Sequence, residues 1–168
     1  MGVDPGIANV GVAVVETSPL QVLEAYVVAT KKTQSRNRRI VDDDQDRMRT
    51  IWVNLTETYT EYKPNALGVE AYTVYKPGQG GQGKGAGWKA LYAYVMTITL
   101  GFIHDIPVHG FTPKQLKLAI GADPTKAGTD QAVCAQVPNA AEYLAKLSAG
   151  SRNHAADAIA CALVVASR

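Results

Sequence analysis

Cysteine is nearly absent from this chain: Cys134 and Cys161 are the two in 168 residues, with no CxxC spacing and no histidine placed to share a metal with them. A disulfide-stapled scaffold and a cysteine-based zinc module are thereby excluded, and both thiols are expected to be reduced and buried. No apolar run approaches the roughly 18 to 20 residues that span a bilayer, so no membrane helix is expected. Charge is thin too, at 19% of residues and a net +2, yet the composition is far from that of a disordered chain. A strand-like segment opens at Gly2 with no charged region and apolar stretch before it, which reads as the absence of a secretory signal. The chain is expected inside the cell. That first strand is short before Asp4, which leaves room for a natural start upstream of Met1.

What is present is a chain that is 46% hydrophobic, enough for one domain with a sizeable core. Its lysines are unevenly placed. Lys76, Lys84, Lys89, Lys114, Lys117 and Lys126 are set against two acids, Asp105 and Asp123, between 76 and 126. Between Lys31 and Arg49, seven basic residues accompany Asp42, Asp43, Asp44 and Asp46. A basic face on a nearly neutral protein suits a polyanion; a solvated surface accounts for these charges equally well.

Val10–Val15 and Val22–Ala29 are rich in β-branched residues, and Ser18-Pro19 between them predicts a hairpin. Met48, Ile51, Trp52, Leu55, Tyr59 and Tyr62 have helical spacing within 44–62, and Lys63-Pro64-Asn65 ends that helix. Ala66–Val69 reads as a buried strand. A second helix carries Trp88, Leu91, Tyr92, Val95, Met96, Thr99 and Phe102, and a further strand covers Ile106–Phe111. Thr112-Pro113 is a cap followed by a first-turn proline, opening a helix over Lys114–Ile120. Two short helices are expected between Gly121 and Gly150, and a last one runs from an Asn153 cap to Ala166. A hairpin followed by alternating strands and helices indicates an α/β architecture with a mixed sheet.

Four candidate functional groups sit where apolar elements end. Asp4 follows Met1-Gly2-Val3 and precedes Pro5-Gly6; Glu70 closes the buried run 66–69; His154 and Asp157 lie three apart on the last helix, hence on one face. An acid at the edge of a hydrophobic core is costly unless it is paired or metal-bound. Taken singly, each has a purely structural explanation. Asp4 suits a turn, Glu70 a solvated strand end, His154 a cap or core position, and Asp157 a first helical turn.

The segments GVDPGIANVGVAVVE and HAADAIACAL, with the Glu70 strand, the PVHGFTPKQLK segment and the helix before that strand, occur in an order that resembles the RuvC family of Holliday-junction resolvases, crossover junction endodeoxyribonucleases that include phage or viral-type members. The resemblance runs through nearly the whole chain. It implies a single domain over 1–168 with a ribonuclease H-like fold, a mixed central β-sheet flanked by α-helices. It also implies that Asp4, Glu70, His154 and Asp157 bind divalent metal, two Mg²⁺ per active site, with Mn²⁺ able to substitute. Some members carry aspartate where His154 stands, and imidazole is a more natural ligand for Mn²⁺ than for Mg²⁺. Such a pair of cations can activate a water and stabilise the departing 3′ oxygen, which implies symmetric paired nicks with 5′-phosphate and 3′-hydroxyl ends. By the same resemblance Asp4 bridges the metals, Glu70 serves the leaving-group side, and His154 with Asp157 the water side.

Lys117 in PKQLK matches the lysine the family places near the scissile phosphate, and Lys126 is the nearest candidate for a second. The glycine-rich stretch at about 72–87 reads as a mobile loop. The family opens the crossover with an aromatic wedge near this point. Tyr72 or Tyr75 could stack on a base, although Thr73 falls at the wedge position; a plain linker fits as well. GQGKGAG lacks the GxxxxGK[ST] form of a phosphate-binding loop. Expected partners are four-way or branched DNA, a second copy of the chain joined through the apolar stripe of the Trp88–Phe102 helix, and branch-migration proteins, in the cytoplasm of a bacterial or phage-infected cell. Competing readings are a broader fork or flap nuclease of the same fold, a non-catalytic junction-binding module, and an actin-like ATPase, for which one domain is too few.

Overall fold

The computed structural model describes residues 1–33, 37–71, 87–123 and 126–168, and for 87–89, 126 and 127 it describes the backbone alone. Five strands form one sheet in the order β3-β2-β1-β4-β5: β1 Gly2–Asp4, β2 Asn9–Thr17, β3 Leu20–Ala29, β4 Leu67–Glu70 and β5 Val108–Phe111. β2 runs antiparallel to both of its neighbours, β1 and β3, and β4 and β5 join β1 in parallel. The sheet is therefore mixed, as the order of elements predicts.

Side chains alternate across a strand, and here the alternation divides the core in two. Val3, Val10, Val12, Leu67 and Val69 pack with Ile51, Leu55 and Leu100 beneath α1 (Ile40–Tyr62) and α2 (Gly87–His104). On the other face, Ala13, Val22 and Phe111 pack with Leu116, Val133, Ile159 and Cys161 from α3 (Pro113–Ala119), α4 (Lys126–Gln136) and α6 (Ala149–Ala166), with α5 (Ala140–Ala145) beside them. By the same alternation Gly2, Gly11, Gly68, Asp4 and Glu70 belong to the α6 face. Absent side chains let α6 lie directly on the sheet. A Cβ on Gly2 would stand 2.0 Å from the Ala158 carbonyl oxygen, one on Gly11 2.0 Å from that of His154, and one on Gly68 2.4 Å from that of Cys161.

The open edge of β3 is closed by a side chain that imitates a strand. Asn139 accepts from the Val22 N–H at 2.9 Å and donates to the Val22 carbonyl at 2.8 Å, while the Tyr143 hydroxyl donates to the Leu23 carbonyl. Edge strands left bare invite pairing with other chains; here the amide and the phenol occupy that edge.

Two expectations about helices need correction. α1 begins at Ile40, four residues before the predicted start at 44, because its first turns bury Asp43, Asp44 and Arg47 rather than apolar groups. Asp43 accepts from the Thr33 N–H at 2.7 Å, and Arg47 donates to the Thr30 hydroxyl at 2.9 Å. The cap of α6 is Ser148, whose hydroxyl accepts from the Ser151 N–H, and not Asn153. His154 and Asp157 consequently lie inside the helix, and the first-turn dipole explanation for Asp157 falls away. The apolar stripe of α2, expected as a surface for a second copy, does face outward. Ala93, Thr97 and Leu100 meet the core, while Leu91, Val95 and Phe102 are exposed, Phe102 to 80%. At the end of β5 the expected Thr112-Pro113 start is a complete capping box with Gln115. The expected mobile loop at about 72–87 lies outside the described residues except for Gly87, where α2 starts.

Of the two thiols, Cys161 is buried, whereas Cys134 is only partly so, 3.8 Å from the Asp130 carboxylate. Both are free. Among the described residues no helix is long and apolar enough to cross a membrane.

Candidate active site

Adjacent parallel strands end together in two acids. The register pairs Gly2 with Gly68 and Val3 with Val69, so the next residues, Asp4 and Glu70, stand side by side at the carboxyl ends of β1 and β4. α6 crosses directly over these strands, seated on Gly2, Gly11 and Gly68. That seat delivers His154 and Asp157 to the same end of the sheet. The His154 Nδ1 lies 2.6 Å from an Asp4 carboxylate oxygen, a charge-assisted distance.

The electrostatics confirm that the four groups converge. Burial pushes the Glu70 carboxyl up to about 8, and Asp4 and Asp157 push it the same way against the opposing pull of His154 and Lys117. Burial also raises Asp157 to about 6, with Asp4 adding to it; a hydrogen bond from Thr129, His154 and Lys117 oppose the rise. The hydrogen bond to Asp4 raises His154, assisted by the charges of Asp4, Asp157 and Glu70 and opposed by partial burial. Each group feels the other three or nearly so. Lys117 is therefore beside the acids, as the PKQLK segment suggests.

A cavity of about 230 Å³ opens here, lined by Glu70, Pro113, Leu116, Lys117, Thr129 and Asp157. A larger hollow, about 530 Å³, lies elsewhere, between α2 and β5 around Tyr94, Ile98 and Phe102. Its walls are mainly apolar with Asp105 as the acid, so size alone does not identify the chemistry.

Among the described residues, no three His, Cys, Asp or Glu side chains enclose a point where an ion would sit as they stand. The imidazole of His154 instead closes onto Asp4. The donor set nonetheless fits divalent metal. Three carboxylates and an imidazole meet in a partly desolvated place, and two of the acids are held above their ordinary range by that crowding. A cation relieves such repulsion.

Of the residues expected on DNA, Lys114 is exposed on α3 and Lys117 partly buried at the acids. Tyr72, Tyr75, Lys76 and Lys84 lie outside the described residues, as do the side chains of Lys89 and Lys126. Thr129 was not legible beforehand. Its only signal is a contact between α4 and α6, which no local pattern carries.

Three comparisons agree on the kind of protein this chain resembles. The family model described as crossover junction endodeoxyribonuclease RuvC matches residues 1–165. The RuvC of Vibrio vulnificus is 27% identical over 169 residues, covering 97% of this chain and 83% of that one. The RuvC of Citrifermentans bemidjiense is 28% identical over 167 residues, covering 97% and 88%. Among solved structures, Thermus thermophilus RuvC in complex with a Holliday junction superposes with a TM-score of 0.71 at 24% identity, over 98% of this chain and 90% of the other. The yeast mitochondrial Holliday junction resolvase Ydc2 gives a TM-score of 0.61 at 14% identity, over 96% and 75%. The shared architecture is the ribonuclease H-like fold.

Proposed function

Because the chain belongs to the RuvC family of crossover junction endodeoxyribonucleases, we propose that it resolves Holliday junctions by symmetric paired nicking with divalent metal, leaving 5′-phosphate and 3′-hydroxyl ends. The observation that carries this reading is the meeting of Asp4, Glu70, His154 and Asp157 at one end of the sheet. Asp4, Glu70, Asp157 and His154 would hold the metal, two Mg²⁺ per site with Mn²⁺ able to replace them. Bound there, the cations supply an activated water and charge stabilisation at the departing oxygen.

The chain's own groups do the rest. Asp4, reached by both His154 and the charge of its neighbours, sits where it can serve both halves of the site. Glu70 and Asp157 must shed protons before they ligate. Lys117, whose charge already reaches Glu70 and Asp157, offers a cation to the non-bridging oxygens of a phosphate at the cavity mouth. Lys114, exposed on the same short helix, extends that positive edge along a DNA backbone.

A four-way junction is approximately two-fold symmetric, and paired nicks need two sites, which an isologous dimer provides. The outward stripe of α2, Leu91, Val95 and Phe102, is the surface that supports a dimer.

The test is incubation with an immobile four-way junction, linear duplex and a replication fork in Mg²⁺ or Mn²⁺. Paired symmetric nicks on the junction are expected, abolished by Asp157→Asn with junction binding retained. Equal cutting of all three substrates favours the broader branched-DNA nuclease, and no cutting in either metal overturns the enzymatic reading.

A further inference from the structure

Asp157 is steadied from a second helix. Thr129 lines the same cavity wall as Asp157, and its hydroxyl is placed to donate to that carboxylate, which only accepts, holding its pKa down against the rise that burial causes. Thr129 belongs to α4, which packs against α6. It is 3% exposed, and it lines the same cavity as Glu70, Lys117 and Asp157. Helical threonines commonly return the hydroxyl to the carbonyl four residues earlier, as Thr50, Thr56, Thr58, Thr60 and Thr97 do here. Thr129 reaches across to another helix and to an acid.

The geometry gives that contact a purpose. Asp157 has two rotatable side-chain bonds and borders a cavity of about 230 Å³, so packing alone leaves it room to turn away. Threonine is stiff at its first torsion, and burial fixes which way Thr129 points. We propose that Thr129 is a positioning residue for Asp157, holding the carboxylate turned toward Asp4 and Glu70 so that the three acids present themselves together to an entering divalent cation. Partners that orient a ligand in this way govern metal affinity nearly as strongly as the ligands do. The proposal rests on Asp157 being a metal ligand.

The experiment compares Thr129→Val, which keeps the shape and loses the hydroxyl, with Thr129→Ser, which keeps the hydroxyl. Free Mn²⁺ is counted by electron paramagnetic resonance during titration of the DNA-free protein, so the readout does not depend on cleavage. Thr129→Val should weaken Mn²⁺ binding about 10-fold, while Thr129→Ser stays within about twofold of wild type. Should valine not be accommodated, Thr129→Ala gives the same comparison, with melting in EDTA verifying the fold. A valine or alanine variant that binds Mn²⁺ like the wild type overturns the proposal alone, as does a serine variant that falls equally far. A wild-type protein that takes up no Mn²⁺ overturns the metal-site reading and this proposal with it.

Discussion

Entry of a divalent cation at pH 7 should expel at least about one proton. Without metal, the Glu70 carboxyl is pushed up to about 8 and that of Asp157 to about 6. A group one unit above the ambient pH is about 90% protonated and one a unit below about 10%, so the two together carry about one proton at neutrality. Both must be carboxylates to ligate and His154, raised by its bond to Asp4, must be neutral, so that proton and whatever the imidazole holds depart as the ion arrives. Apparent Mn²⁺ affinity should therefore fall at least about tenfold for each pH unit below 8, more steeply as His154 and then Asp157 protonate as well. Calorimetric titration of Mn²⁺ into DNA-free protein at pH 7, in two buffers of different ionisation heat, reads the number of protons released. At pH 9 the release should drop well below its pH 7 value, and in Glu70→Gln at pH 7 it should fall by most of a proton, leaving only what Asp157 and His154 carry. A binding heat at pH 7 that does not depend on the buffer refutes the reasoning, because it means the acids already stand ionised in the empty site.

The same raised values make the metal-free protein lose stability as pH rises. Glu70 is neutral in both states below about 4.5, and between there and about 8 only the unfolded chain ionises freely. His154 acts in the same sense, stabilising while protonated and losing that contribution as pH climbs past its raised value. Melting temperature in EDTA should fall from pH 5 to pH 8, with Mg²⁺ restoring it, and a rise over that range contradicts the assignment. Gly11→Ala places a Cβ 2.0 Å from the His154 carbonyl oxygen, at or beyond the roughly 1–3 kcal/mol of ordinary overpacking; unchanged melting and cutting would show that α6 is not seated as described. Asn139→Ala strips both partners from Val22 on the β3 edge and should cost about 1–3 kcal/mol, read as a shift of about 2–4 °C per kcal/mol on thermal melting. Phe102→Asp should convert a dimer to a monomer by light scattering, and a persistent dimer moves the interface off α2.

Local chemistry made much of this fold legible. The Ser18-Pro19 hairpin, the Lys63 stop and the Thr112-Pro113 capping box each announce themselves within a few residues. Patterns of apolar residues misled where burial was not apolar. Asp43, Asp44 and Arg47 are buried in α1 and hid its first turn, whereas Leu91, Val95 and Phe102 face solvent as a contact surface would. Ser148 rather than Asn153 caps α6 because the helix begins where the chain leaves α5, a matter of packing that spacing does not encode. Asp4, Glu70, His154 and Asp157 were readable as a set only through their order along the chain; their meeting depends on parallel register and on α6. Thr129 depends on two helices touching, so nothing nearby in the sequence marks it.

The row of missing side chains beneath α6 has a wider meaning. Gly2, Gly11 and Gly68 touch the helix through main-chain atoms, and a main-chain contact is blind to which side chain stands at positions 154 and 157. The fold therefore works as a socket with interchangeable pins. Under the proposed metal assignment, exchanging His154 for an acid would add a negative charge and favour harder cations while leaving the socket's dimensions untouched. Metal preference can thus drift, or be engineered, one side chain at a time, whereas the seat itself tolerates no growth at all.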